Sequence, residues 1–470
     1  MFQKAVLTRY ATYTVGIATT VVNVFMITYF LDVNEFAVWG IASSIIYVFS
    51  QLGQLTYVQY IDKFFPNMSL QECKLKINQF LKTICLFSPL WLSLFFIMDG
   101  LGYFSKFYIE NIYILFLMLT SLVVLESSIE ITSKYMLAIN KSQSFDLNEF
   151  MTLKLLRSLL FFVFLYSGFS IYHLFFISIL LRSYFLLSIL TRNEESVLEF
   201  LKNIFSANVF KNNFVDIHYT TVAFIIKTLQ TTFLNVIFLI YSSFSINTEI
   251  ATFSLGILII NNLRPVISSF SSLLTPIISK RAKIGNESSN FLTFTSFLNT
   301  LISSFFVAGS FIIFIYRELI SEYFFEYTGN VIFVIVFSII GSTFMSIYQP
   351  TLMFIKFSEK EKELLKLVFF NYLSLLTIFS FLQYFNLGNL IIFYIFFELI
   401  NLVICNYLFV RNFEKRNLFI YSYSYISNVV YLVMISINIT INPYLVIGSI
   451  LFFYLIDFYR LKINNIGYSF

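Results

Sequence analysis

The chain has 470 residues, of which 58% are hydrophobic, 20% aromatic and only 12% charged, and its mean hydropathy is +0.82. Soluble domains carry roughly twice that fraction of charge, so water is excluded as the main solvent. The net charge of +5 points to topology and to the anionic lipid of a cytoplasmic leaflet, and nucleic acid is not implied.

Apolar runs of roughly 17 to 25 residues recur along the chain, each long enough to cross about 30 Å of hydrocarbon as a helix. Stretches such as Leu159 to Tyr166 lack the strict alternation of a barrel strand. Met1 to Tyr13 contains Lys4 and Arg9. No small-residue cleavage site follows the next apolar run, so the first helix is expected to be retained. In chain order, spans are predicted from Tyr10, Phe36, Thr83, Ile112, Leu155 and Ile171, and then from Tyr219, Ile250, Phe291, Val331, Leu367, Leu387, Leu418 and Pro443. The expected fold class is therefore all-α and integral to the membrane, with about fourteen transmembrane helices.

Lysine and arginine alternate with this count. With the amino terminus inside, the even-numbered connections carry Lys63, Lys74, Lys76 and Lys82, then Lys134, Lys141, Lys154 and Arg157, then Arg192, Lys202 and Lys211. Lys280, Arg281 and Lys283 follow, then Lys356, Lys360, Lys362 and Lys366, then Arg411, Lys415 and Arg416, and Arg460 and Lys462 in the tail. The outward connections hold Lys106 and Arg317, among acids such as Asp32, Asp99 and Glu318. Retention of positive loops in the cytoplasm then places both termini inside. The longest break, 192–218, contains the amphipathic stretch Ser196 to Phe210 and reads as a cytoplasmic linker. It separates an N-terminal lobe over 1–191 from a C-terminal lobe over 219–410, with two further helices over 411–470.

Cys73, Cys85 and Cys405 are odd in number and scattered, and His173 and His218 lie apart, so neither a disulfide framework nor a metal centre is expected. No glycine-rich phosphate loop is present, so no nucleotide cofactor is expected. The 62 Phe against 14 Gly suggest AT-rich coding and a bacterial cytoplasmic membrane. Pro89, Pro265 and Pro350 fall within or at the ends of spans, where membrane helices tolerate proline.

Secondary transporters are often built from repeated bundles. Here Glu35-Phe36-Ala37-Val38-Trp39 after the first helix matches Glu249-Ile250-Ala251-Thr252-Phe253 after the seventh, with Asn23-Val24 and Asn235-Val236 upstream of each. The turn Asn34-Glu35-Phe36-Ala37-Val38-Trp39-Gly40, the helix ending in Gln51-Leu52-Gly53, and the stretch Tyr60-Ile61-Asp62-Lys63-Phe64-Phe65-Pro66 resemble the polysaccharide-exporter, or O-antigen-type lipid-linked oligosaccharide flippase, family. That family belongs to the multidrug and oligosaccharidyl-lipid exporter superfamily. The resemblance extends to helix count, central linker and cytoplasmic termini. It departs at Ala37 and Gln51, where the family often has glycine and an acid. It implies two pseudo-repeated lobes and the movement of an undecaprenyl-diphosphate-linked O-antigen or capsule unit to the outer leaflet. Implied partners are that substrate, membrane lipid and other polysaccharide assembly proteins.

Charges deep in a spanning helix are costly and are functional candidates by default. Arg182 in helix six, Lys227 in helix seven and Arg264 in helix eight are the deepest cations, and guanidinium and ammonium groups suit a diphosphate. The competing readings are snorkelling for Lys227 and structural ion pairs for Arg182 and Arg264. Glu126 and Glu398 are the deepest acids, candidates either for a coupling proton or for pairing with those cations. Glu130 and Asp457 sit nearer helix ends. The outward connections are short, which disfavours a membrane glycan polymerase or ligase, so the chain reads as a transporter and not an enzyme. A drug or cation antiporter shares the architecture and would favour acidic cavity residues.

Overall fold

The computed structural model describes residues 22–65, 68–104, 111–139, 141–192, 220–263, 315–323, 331–356, 361–384 and 390–413, together with Gly16, Thr19, Gly309 and Ile313. The chain forms two compact units, Met1–Leu258 and Ile259–Phe470. Among the described residues, seven helices are long and apolar enough to cross a membrane. In hydrocarbon the backbone must satisfy its own hydrogen bonds, and helices do this within each segment.

In the first unit a helix over 22–30 (α1) leads to α2, Val33–Gly53, which Asp32 caps by accepting from the Glu35 N–H at 2.8 Å. Then come α3 (Tyr57–Phe64), α4 (Leu70–Leu86) and α5 (Ser88–Gly100), with Pro89 in the first turn of α5. The long α6 is Ile112–Ala138 and α7 is Ser142–Glu149. A π-helical segment, Phe150–Leu156, joins α7 to α8, Arg157–Tyr166. The unit continues with α9 (Ile171–Arg192) and α10 (Thr221–Phe244). The boundary between the units falls inside α11, residues 247–263. The second unit holds α12 (Arg317–Tyr323), α13 (Val331–Lys356), α14 (Glu361–Tyr384) and α15 (Leu390–Phe413).

Several helices begin earlier than their apolar runs. The span expected from Thr83 starts at Leu70, where Ser69 and Glu72 form a reciprocal capping box, so Lys74, Lys76 and Lys82 stand on a helix and not in a loop. The span expected from Leu155 is helical from Ser142, which places Lys154 and Arg157 on a helix too. Likewise α14 starts at Glu361 and not at Leu367. Hydropathy marks where hydrocarbon begins, whereas a helix continues outward as long as its cap allows. Residues 193–219, with almost all of the expected linker, and the spans expected from Phe291, Leu418 and Pro443 lie outside the described residues.

Packing centres on α2 and α6 in the first unit and on α13 and α15 in the second. Small residues let the backbones approach, as membrane helices require. Gly53 of α2 faces Ser127 of α6, whose hydroxyl donates to the Ser50 carbonyl at 3.1 Å. Gly40 faces Ser254, and Asn34 bonds Asn247 at 2.9 Å. In the second unit the Tyr394 ring lies over Gly341.

A Cβ at Gly40 would lie 3.3 Å from Ser254 Cα and closer still to its side chain. Gly40→Ala is expected to lower the thermal-unfolding midpoint of the purified protein, overpacking costing about 1–3 kcal/mol. Adding Ser254→Gly should restore it; a midpoint that stays depressed would show that this contact is not the cause.

Candidate functional site

Glu126, Glu130 and Lys134 follow one another at four-residue spacing on α6, so they line one stripe of an otherwise apolar helix. Each meets an opposite charge from a different helix. Arg182 of α9 donates through Nε to Glu126 Oε1 at 2.6 Å, and its Nη2 donates to the same oxygen. Lys227 of α10 donates to Gln54 Oε1 at 2.9 Å and reaches Glu130 Oε1 at 3.5 Å. Lys134 meets Asp62 of α3 at 3.2 Å. The side chains of Arg182 and Lys227 are only 13% and 23% exposed, so both cations point into the helical packing of this unit.

Arg157 is a further cation beside this stripe. On α8 it falls in register with Leu153, Phe161 and Leu165, all buried, so its stem points inward. It lies within electrostatic reach of Arg182, Glu126 and Glu149, and its guanidinium sits 5.7 Å from the centre of the Phe161 ring. Nearby, Lys154 meets Glu149 at 3.9 Å and lies against Gly16, whose added Cβ would come within 2.9 Å of Nζ.

In the second unit, Glu398 of α15 is fully buried and bonds the Tyr348 hydroxyl of α13 at 2.5 Å. One turn along α15, Asn401 accepts from Asn371 of α14 at 3.1 Å. Arg264 immediately follows the last described residue of α11 and lies, with Asp457, outside the described residues.

Of the residues singled out from the sequence, Arg182 and Glu126 are thus brought together, Lys227 stands one turn of α6 further along, and Glu398 belongs to the other unit. Sequence reading missed Gln54 and Arg157, and it assigned Lys134 to a connection. For Arg157 a usable signal exists in the four-residue run Leu153, Arg157, Phe161, Leu165, but the loop assignment concealed it. Chemically, a guanidinium fork that holds a carboxylate can hold a phosphate oxygen in the same way, and an ammonium supplies a point charge.

No protein-family model matches the chain, and no curated protein matches it. Solved structures do match. The chain is similar to the lipid II flippase MurJ in an inward closed conformation, with a TM-score of 0.60 and 14% identity, over 98% of this chain and 99% of that one. It is also similar to a multidrug resistance MATE family transporter of the MOP superfamily in an inward-facing conformation, with a TM-score of 0.58 and 12% identity, over 88% of this chain and 95% of that one. At these identities the likeness is one of fold, that of a multi-pass helical membrane protein.

Removing Arg182 from this half-buried pair leaves the Glu126 charge, whose side chain is 32% exposed, partly uncompensated, which costs about 1–3 kcal/mol. Arg182→Met should therefore destabilise the protein more than Arg182→Met combined with Glu126→Gln, as read from chemical or thermal unfolding in detergent. Equal losses would show that Glu126 is already solvated without Arg182.

Proposed function

We propose that this protein is a flippase that carries an undecaprenyl-diphosphate-linked oligosaccharide, an O-antigen or capsule repeat unit, from the cytoplasmic to the outer leaflet of a bacterial inner membrane. The observation that carries the reading is the fold likeness to a lipid II flippase along nearly the whole length of both chains. A glycan and a diphosphate cannot cross hydrocarbon bare, whereas a polyprenyl tail has no need to leave it. Two bundles that open alternately around a cationic cavity meet both demands, with the tail remaining in lipid. Arg182, Lys227 and Arg264 are the proposed diphosphate-binding residues. Glu126 holds Arg182 and Glu130 holds Lys227 when the substrate is absent. Such exchange lets a cation stay charged inside the membrane through the whole cycle.

A second reading rests on Glu398. A fully buried carboxyl bonded to a tyrosine hydroxyl, in a fold shared with a multidrug transporter, also suits drug or cation antiport, with Glu398 as the coupling acid.

In a deletion strain, lipid-linked glycan is expected to accumulate on the cytoplasmic side, out of reach of an external glycan-cleaving probe. Wild type should restore access. Lys227→Ala, Arg182→Ala and Arg264→Ala, at equal protein level, should reduce it about tenfold or more, the loss expected when one charge-assisted contact to a phosphate disappears. Normal outward exposure of unpolymerised units in the deletion strain would sink the flippase reading and favour a polymerase. Glu398-dependent drug efflux with normal glycan exposure would favour the antiporter.

A further inference from the structure

Arg157 presents a physical problem that its described surroundings leave unsolved. Its half-buried side chain lies beside the buried residues Phe161 and Leu165 of α8, and its Nε is enclosed without an acceptor. Among the described residues it has neither a hydrogen-bond nor an ion-pair partner. A guanidinium has five donors, no acceptor and no accessible neutral form, so it cannot relieve burial by losing its proton. The acids within electrostatic reach, Glu126 and Glu149, make no hydrogen bond to it. Glu126 commits Oε1 to two nitrogens of Arg182, and Glu149 faces Lys154. A second guanidinium, that of Arg182, lies within electrostatic reach of the first, which adds repulsion. One fork holds Glu126 while the other lies within electrostatic reach of it, and an enclosed guanidinium nitrogen without an acceptor calls for one. The π-helical turn Phe150–Leu156 immediately precedes Arg157, and such wide turns are rare and concentrate at functional sites.

We propose that Arg157 and Arg182 form the two sides of a binding site for a phosphate-class anion within the first unit, with Glu126 holding Arg182 until that anion displaces it. The ligand is the phosphate or diphosphate ester of a membrane lipid; that it is the diphosphate of a transported lipid rests on the flippase reading, whereas the site itself does not. Phosphate oxygens accept from both forks at once, which a single carboxylate oxygen held by Arg182 cannot do.

The test is saturation binding of radiolabelled polyprenyl diphosphate to the purified full-length protein in nanodiscs of neutral zwitterionic lipid. Wild type is expected to bind saturably. Arg157→Gln should weaken binding about tenfold or more, and Arg157→Lys by less, because it keeps the charge but not the fork. Glu126→Gln should tighten binding, since the competing acceptor is gone; a residue with only a structural role would not act in that direction. If Arg157→Gln does not fold, Arg157→Lys and Glu126→Gln carry the same test.

Competition by inorganic pyrophosphate would identify the headgroup of the labelled lipid as the ligand. Competition by phosphatidylglycerol but not pyrophosphate would identify a bulk lipid phosphate. Either outcome supports the site. Absence of saturable binding to wild type, unchanged affinity in Arg157→Gln, or weaker binding in Glu126→Gln would overturn it. Failure of glycan transport with Arg157-dependent binding intact would count against the flippase reading alone, and intact transport with Arg157-independent binding would count against this site alone.

Discussion

Three charges at four-residue spacing on an apolar helix set the central constraint on the first unit. Glu126, Glu130 and Lys134 cannot face lipid on α6 without a large penalty, so that stripe must be covered by opposite charges from other helices. Arg182, Lys227 and Asp62 supply them from α9, α10 and α3. The ladder thereby ties together helices far apart in sequence and determines which face of each one turns inward. Charge pairs of this kind are weak evidence for stability in themselves, because desolvation offsets much of the Coulomb gain. Their effect is on specificity: a helix rotated by one residue would leave a charge exposed to hydrocarbon.

Close backbone approach is the second requirement, and small residues meet it. Lipid chains are as apolar as leucine, so helices in a bilayer associate through packing and hydrogen bonds more than through the hydrophobic effect. Gly53 against Ser127 and Gly40 against Ser254 bring α2 up to α6 and α11. In the second unit Gly341 admits the Tyr394 ring, and the Tyr348–Glu398 and Asn371–Asn401 bonds satisfy polar groups that would otherwise be stranded. Large apolar side chains that remain exposed, such as Phe370 at 72% and Val403 at 60%, provide the surface expected against lipid.

A cation balanced by a carboxylate stays charged within the helix packing. A guanidinium with an enclosed nitrogen and no hydrogen-bond acceptor is, in the site proposed above, half of a binding site. Arg182 and Lys227 belong to the first kind and Arg157 to the second, and all three stand within the same compact unit. In the proposed site the ligand would supply the hydrogen-bond acceptor that the described residues do not offer to Arg157 Nε.

Much of this was legible in the residues alone. Apolar run length identifies spanning helices, because bilayer thickness and helix rise leave little choice, and the predicted starts at Ile112, Ile171 and Val331 coincide with the observed ones. The rarity of charge in those runs also singled out Arg182, Lys227, Glu126 and Glu398. Sequence could not tell which acid meets which cation, since Glu126 and Arg182 are separated by 56 positions and Gln54 and Lys227 by 173. It also misplaced Lys154 and Arg157, because hydropathy reports the edge of the hydrocarbon and not the end of a helix. One sequence thus determines that buried charges exist and must be compensated; only the tertiary packing, which sets the rotation and depth of each helix, decides which of them already has its partner.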